Sequence, residues 1–271
     1  MTSSTEPVGR RLPISCFIIA KNEADRLPRA IRSVRELVDE IVVIDSGSTD
    51  GTPEIATGLG ARALFNAWPG FGQQKRFGEE QCRNRWLLNI DADEEVSPRL
   101  ASEIRELFAR GEPAEAAFGM WASIVYPGDT RPRPFARDHF VYRLYDFQRV
   151  RFADSTLFDS VELKGAPTRK LAGALFHHTV RSMDDLIAKS NARAAYNAAN
   201  AKKKSRALLA LRTVTELPYA FFRYYIARAH VLGGMKGFEY AVIISFFRFV
   251  RIMRMRQGRT ADPGADPNAM S

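Results

Sequence analysis

The sequence predicts an α/β fold: a mostly parallel sheet, antiparallel strands added to it, and a helical, basic C-terminal region. Two observations carry the first part of that prediction. Short apolar runs alternate with amphipathic stretches through the first hundred residues, and the runs are apolar on both faces, as in a parallel sheet covered on both sides. Acidic clusters stand directly after two of these runs. The third observation is charge: residues 1–180 carry 24 Lys/Arg against 25 Asp/Glu, whereas residues 181–260 carry 16 against 4. At 271 residues and 45% hydrophobic content, the chain can bury a substantial core, which excludes global disorder. Cys16 and Cys82 form neither a disulfide framework nor a metal-ligand spacing, and reduced thiols suit the cytoplasm.

Each element follows from local pattern. MTSSTEPVGRRLP is polar and reads as a frayed start. Residues 14–20 are a buried strand, too short and too soon followed by Lys21-Asn22-Glu23 to be a signal segment. Leu27, Ala30, Ile31, Val34, Leu37 and Val38 recur at helical spacing, with Asp25 as N-cap and Pro28 in the first turn. Residues 40–45 form a second strand. DSGSTDGT, residues 45–52, makes a turn, with Asp50 and Thr52 as turn and cap residues. A short helix from Thr52 to Leu59 ends at Gly60, and Ala61–Phe65 is a third strand. Residues 66–72 are a loop, Gln73–Gln81 a helix, Trp86–Asp91 a fourth strand, and Ser97-Pro98 opens a helix through Arg110. Three β-like runs then follow, Ala117–Tyr126, Phe140–Tyr145 and Leu171–Phe176, separated by Pro- and Arg-rich loops. From Ser182 the chain reads as helical, and after Gln257 as a disordered tail. The expected domains are a flexible 1–12, a catalytic 13–180, a basic amphipathic 181–257 and a tail 258–271.

In an open α/β sheet, ligands bind outside the carboxyl ends of the strands. Asp45 ends the second strand, and Asp91-Ala92-Asp93-Glu94-Glu95 ends the fourth. If these strands flank the first, both clusters face one crevice. Carboxylates gathered there repel unless a cation is shared among them, and D-x-D suits a divalent ion that also holds a diphosphate. The bland alternative is a solvated loop that caps the following helix.

These residues resemble inverting glycosyltransferases of family 2, with the GT-A fold. The resemblance rests on Asn22-Glu23 after an apolar strand, on Val42 to Asp50, and on Leu88 to Glu94. A closer likeness is to the lipopolysaccharide-core subgroup that includes β-1,4-glucosyltransferases, through Gly70-Phe71-Gly72-Gln73-Gln74-Lys75 and the basic C-terminal region. The resemblance implies a nucleotide-diphosphate sugar donor, UDP-glucose in the subgroup, and a saccharide or lipid-linked glycan acceptor. It implies that Asp45 contacts base or ribose, that Asn22 and Glu23 line the same pocket, and that Asp91 is a ribose or metal contact. Asp93 would be the main ligand of Mg²⁺ or Mn²⁺, with His177 completing the metal or diphosphate site unless it is structural. Lys75 neutralises diphosphate or is a solvated lysine on a helix. Arg143 touches phosphate or acceptor, or is a strand-surface charge. Inverting transfer needs a general base. Asp159 falls where the subgroup has one, although Phe158 stands in place of the usual His; Asp154 is the competitor.

The C-terminal region mixes aromatics with arginines. Phe238–Val250 gives about 20 Å of helix, short of the roughly 30 Å needed to span a bilayer, so a helix lying on an anionic membrane surface is expected. The alternative is packing on the catalytic domain or a second subunit. The corresponding location is the cytoplasmic face of the inner membrane, with the protein peripheral. Two other classes compete: a non-catalytic nucleic-acid-binding protein, which leaves both acidic clusters unexplained and shows no such motif, and a phosphatase, whose nucleophilic Asp usually sits on the first strand. No nucleic-acid partner is expected.

Overall fold

The computed structural model describes residues 10–156, 159–201 and 204–258. The expectations for Phe158 and for the chain ends at 1–9 and 259–271 lie outside the described residues. The chain forms two compact units, one comprising the residues up to Ser123 with His139–His177, the other Ile124–Asp138 with the residues from His178 onward.

The first unit is α/β. It contains β1 (Leu12–Ala20), α1 (Leu27–Val34), β2 (Val38–Asp45), α2 (Thr52–Gly58), β3 (Arg62–Phe65), α3 (Phe71–Gln81), β4 (Trp86–Asp91), β5 (Glu94–Val96), α4 (Pro98–Phe108), β6 (Ala117–Ile124), β7 (His139–Asp146), β8 (Arg151–Phe152), β9 (Val161–Glu162) and β10 (Thr168–His177). The main sheet runs β3-β2-β1-β4-β7-β6-β10-β5, and β8 pairs with β9 separately. β1 is flanked by β2 and β4, both parallel to it, while β7 joins β4 antiparallel. The central strands are apolar on both faces because both are covered. Ile14, Cys16 and Ile18 pack with Leu27, Ile31, Leu100 and Ile104 on one side, and Phe17, Val42 and Leu87 pack with Tyr145, Phe152 and Phe77 of α3 on the other.

Four local expectations are corrected. α1 stops at Val34, and Val38 instead starts β2, pairing with Leu12; burial in a tight turn mimicked helical spacing. The N-cap is Arg26 without a side-chain cap bond, not Asp25. α3 starts at Phe71 rather than Gln73. Glu94–Val96 is a strand rather than loop, because it pairs with Leu175–His177 of β10.

The second unit holds α5 (Met183–Ala199), α6 (Arg206–Phe222) and α7 (Gly234–Gln257), with a five-residue π turn and a 3₁₀ turn between the last two. Its core joins Ile124, Tyr126, Val180, Leu186 and Tyr240. Buried Glu216 of α6 pairs with Arg212, Arg248 and Arg251. Tyr126 Oη lies 2.6 Å from His230 Nδ1, and the His230 ring stacks on Tyr240 at 4.7 Å. Asp138 is gripped by the two terminal guanidinium nitrogens of Arg133, at 2.8 and 3.0 Å. Among the described residues, no helix is long and apolar enough to cross a membrane.

Candidate active site at the ends of the central strands

The strand order settles the condition left open by the sequence. Ala20 pairs with Asp45, and Ile19 with Asp91, so both acidic clusters stand on either side of the end of β1.

On the β2 side, Asp45 is buried and held by its own turn. One carboxylate oxygen accepts from the N–H groups of Gly47 and Ser48 at 2.9 and 3.0 Å, and the other accepts from the Ser48 hydroxyl. The same turn fastens the chain leaving β1. Asn22 N–H donates to Ser48 Oγ at 2.8 Å, and Asn22 Oδ1 accepts from Thr49 N–H at 2.9 Å. Glu23 N–H donates to Thr52 Oγ1, and Ala24 N–H to Asp50 Oδ2. DSGSTDGT is therefore a clamp for residues 22–24 as well as a turn that presents Asp45.

On the β4 side, cations replace backbone donors. Asp91 lies between Lys75 Nζ at 2.9 Å and Arg143 at 2.5 Å. Burial opposes its charge, but Arg143 and then Lys75 outweigh burial and hold its pKa well below the usual 3.8. Lys75 is fully buried, reaches Asp159 Oδ2 at 2.8 Å, and sits 5.2 Å over the Phe152 ring. The solvated-lysine reading is thus wrong. So is the strand-surface reading of Arg143, which is buried and donates to Asn89 Oδ1 at 2.6 Å and Glu94 Oε1 at 3.2 Å. Asp159 remains half-exposed, and Asp154 is exposed.

Asp93 takes a different set of partners. The register that sets His177 opposite Glu94 brings His177 Nε2 to 3.4 Å from Asp93 Oδ2. Arg26 donates to the same oxygen at 3.2 Å and to Glu23 Oε2 at 2.6 Å. For His177, burial alone would lower the pKa, but the Asp93 carboxylate raises it to about 9. For Asp93, burial is outweighed by His177 and Arg26, leaving a pKa of about 2. Glu94 goes the other way: burial lifts it above the usual 4.5.

Asp91 and Asp93 therefore face different neighbours, and no three His, Cys, Asp or Glu side chains among the described residues converge as a metal-holding group. Magnesium sites commonly use one or two carboxylates and take their other ligands from substrate phosphates and water. Asp93 supplies a carboxylate of that kind, and His177 would have to give up its proton to join it. The Nδ1 of His177 is also buried without a hydrogen-bond partner.

The Gly70–Lys75 segment acquires a physical reason. Phe71 and Gly72, at the start of α3, donate their N–H groups to the carbonyls of Thr156 and Ser155, satisfying helix donors that have no partner within the helix. Gly70 has φ +138°, and a Cβ there would lie 2.5 Å from Thr156 Cα, so only glycine allows this approach. Gln74, fully buried, donates to Ser46 Oγ at 2.9 Å and accepts from Asn66 at 2.7 Å. The helix start thereby holds Ser155 and Thr156, and the residue after Gln74, Lys75, meets Asp159 itself. One turn on, Glu79 accepts from Tyr145, Phe152 N–H and Arg151. Arg26 and Gln74 join these residues without a sequence expectation for them: Gln74 lies inside the Gly70–Lys75 segment, whereas Arg26 gives no signal beyond its charge, and Glu94 belongs to the acidic cluster already singled out.

An open α/β sheet with acidic residues at the ends of the strands flanking β1 defines a class that binds ligands at those ends, and comparison with known proteins narrows it. The model of the family "Glycosyl transferase family 2" matches residues 15–162, over half of the chain. The chain belongs to that family. It is 38% identical over 253 residues to an uncharacterized glycosyltransferase of Rickettsia bellii, covering 90% of this chain and 86% of that one. It is 28% identical over 267 residues to the lipopolysaccharide core biosynthesis glycosyltransferase LpsC of Rhizobium meliloti, covering 94% and 97%. Among solved structures it is similar to glucosyl-3-phosphoglycerate synthase from Mycobacterium tuberculosis in complex with Mn²⁺, UDP and glucosyl-3-phosphoglycerate, with TM-score 0.43 and 21% identity over 66% of this chain and 75% of that one.

Proposed function

We propose that this glycosyltransferase inverts the anomeric centre, uses a nucleotide-diphosphate sugar such as UDP-glucose, and glycosylates a saccharide or lipid-linked acceptor in lipopolysaccharide-core or other cell-envelope glycan synthesis. The observation that carries this reading is Lys75, which ties Asp91, on the donor side, to Asp159, the candidate base, with contacts of 2.9 and 2.8 Å. The similarity to LpsC supports the acceptor class.

In this scheme Asp45, Asn22 and Glu23 line the nucleoside pocket, and Asp91 and Arg143 border the ribose and diphosphate. Asp93 and His177 would hold Mg²⁺ or Mn²⁺; when bound, the ion neutralises charge building on the leaving diphosphate. Asp159 takes the proton of the acceptor hydroxyl as that oxygen bonds to the anomeric carbon, while the bond from that carbon to the diphosphate breaks on the opposite face and the diphosphate keeps its electron pair. Lys75, 2.8 Å from Asp159 Oδ2, aims that carboxylate, so it positions the base rather than contacting the donor.

The test is nucleotide release and thermal shift with a panel of sugar nucleotides and Mn²⁺. Asp159→Asn should cut turnover about a hundred-fold, within the range for losing a general base, with an unchanged donor-induced shift. Turnover at the parental rate would remove Asp159 as base, and absence of any nucleotide effect on the parent chain would sink the donor reading.

The second unit suits peripheral attachment to the cytoplasmic face of an anionic inner membrane. α6 exposes Leu211, Val214 and Phe222, each more than half accessible, in a region rich in arginine, the combination expected of a helix lying at a lipid interface. Val214→Glu with Phe222→Glu should release the full-length protein from vesicles containing phosphatidylglycerol; unchanged cosedimentation would refute attachment through this face.

A further inference from the structure

Beyond Arg143, β7 and β6 carry an aromatic surface with no role in donor binding. Trp121 of β6 stands opposite Phe140 of β7 in the sheet register. Their ring centroids are 5.3 Å apart, and Tyr142 adds a third ring 5.5 Å from Phe140. The surface is not closed over, because Phe140 is 37% exposed and Trp121 and Tyr142 are only half-buried. The rings meet edge to face, at interplanar angles of 67° and 83°, and the backbone leaves room for them. Gly119 lies across from Tyr142, and a Cβ there would meet the Phe140 ring at 2.4 Å. The exposed Lys170 of β10 lies over two of the three rings, at 5.1 Å from Trp121 and 5.6 Å from Phe140.

The position of these rings gives them a use. Tyr142 packs in the same core cluster as Tyr145 and Phe152, and Phe152 is the ring beneath Lys75. The platform is therefore on the sheet face that carries Lys75 and Asp159. Phe140 is three residues from Arg143, about 10 Å along an extended strand. An exposed row of aromatic faces is costly to leave in water. Its negative π surface suits the polarised C–H face of a pyranose ring, and the exposed Lys170 ammonium, which lies over Trp121 and Phe140, would swing to the edge on stacking and donate to hydroxyl, carboxylate or phosphate groups.

We propose that Trp121, Phe140 and Tyr142, rimmed by Lys170, form an acceptor subsite that stacks a sugar residue of an oligosaccharide next to the one receiving the transferred sugar. This rests on the transferase reading above, and it makes the acceptor an oligosaccharide rather than a monosaccharide or a lipid phosphate.

Binding of the full chain to an array of bacterial cell-envelope oligosaccharides tests it, with UDP-induced thermal shift measured on the same samples. The parent should bind one or more glycans, Trp121→Ala and Phe140→Ala should bind them at least tenfold more weakly, and Trp121→Phe, which keeps a stacking face, should retain binding. All variants should keep the parental UDP shift, which also shows that they are folded. A parent that binds no glycan, or alanine variants that bind as it does, overturns the subsite. Absence of a UDP shift alongside ring-dependent glycan binding would instead refute the donor reading and leave the platform standing.

Discussion

His177 in the first unit and His230 in the second each face an aspartate, at 3.4 and 3.7 Å, yet their proton affinities move in opposite directions. That of His177 rises to about 9, against the pull of burial, through Asp93. That of His230 falls to about 4, through burial and then the Arg133 charge, with Asp138 too weak to reverse them. The difference lies in how each aspartate is already engaged. Asp138 is gripped by Arg133 through both oxygens and accepts from Ile124 N–H, so its charge is neutralised before the histidine is reached. Asp93 shares its one arginine with Glu23, and around it Glu23, Asp91, Asp93, Glu94 and Asp159 outnumber Arg26, Lys75 and Arg143. A balanced buried pair builds structure; a surplus of acid attracts further positive charge, as the proposed cation-assisted donor site would require.

The largest effect expected from disturbing this contrast is at Asp93. Asp93→Asn keeps the shape and its bonding to Arg26 but removes the charge that distinguishes the first cluster from the second. Transfer should fall about a thousand-fold, roughly 4 kcal/mol of barrier, and the thermal midpoint should fall as well, because the amide no longer balances the buried His177 and Arg26 charges. Nucleotide release from the best sugar nucleotide of the panel measures the first, and calorimetry the second. Activity within tenfold of the parent would mean that the acid surplus has no catalytic part.

The next effect belongs to the balanced cluster and appears as acid sensitivity. His230 faces Tyr126, Tyr224, Tyr240, Arg133, Arg228 and Asp138. Its folded pKa is about 4 against an ordinary 6.5, so between these values the unfolded chain binds a proton that the folded chain refuses. Stability from this group is complete above pH 6.5 and is lost as pH falls towards 4, by about 3 kcal/mol at roughly 1.4 kcal/mol per pH unit. Chemical denaturation at pH 7, 5.5 and 4.5 should show that slope. A flat profile would mean that His230 is protonated in the fold, and the contrast between the two histidines would fail.

How much of this was readable from residues alone follows the same division between local and distant partners. The parallel core, Asp45 and Asp91 at strand ends, and the Asp50–Thr52 turn were legible because each depends on neighbours in the chain. The bonds that define the site span far longer separations. Lys75 finds Asp159 84 residues away, and Arg26 finds Asp93 67 residues away; a charged residue in a helix looks the same whether it ends in solvent or in a buried bridge. Glu94–Val96 looked like loop because it is a strand only by virtue of β10. The start of α3 was placed two residues late because its first donors are satisfied by Ser155 and Thr156 rather than by a local cap.

The smallest effect separates the contribution of the hydrogen bond to His230 from that of burial. Assigning Tyr126 as donor to Nδ1, 2.6 Å away, places the ring proton on Nε2, towards Asp138. That bond exists only while the ring is neutral, because a protonated ring carries hydrogens on both nitrogens. Tyr126→Phe should therefore cost about 1 kcal/mol at pH 7, a typical net hydrogen-bond value, and the cost should shrink as pH falls to 4, where the parent no longer benefits. The variant's acid slope should be correspondingly shallower. Parallel stability curves, offset equally at every pH, would show that Tyr126 supports the second unit by packing alone and that burial by itself keeps His230 neutral.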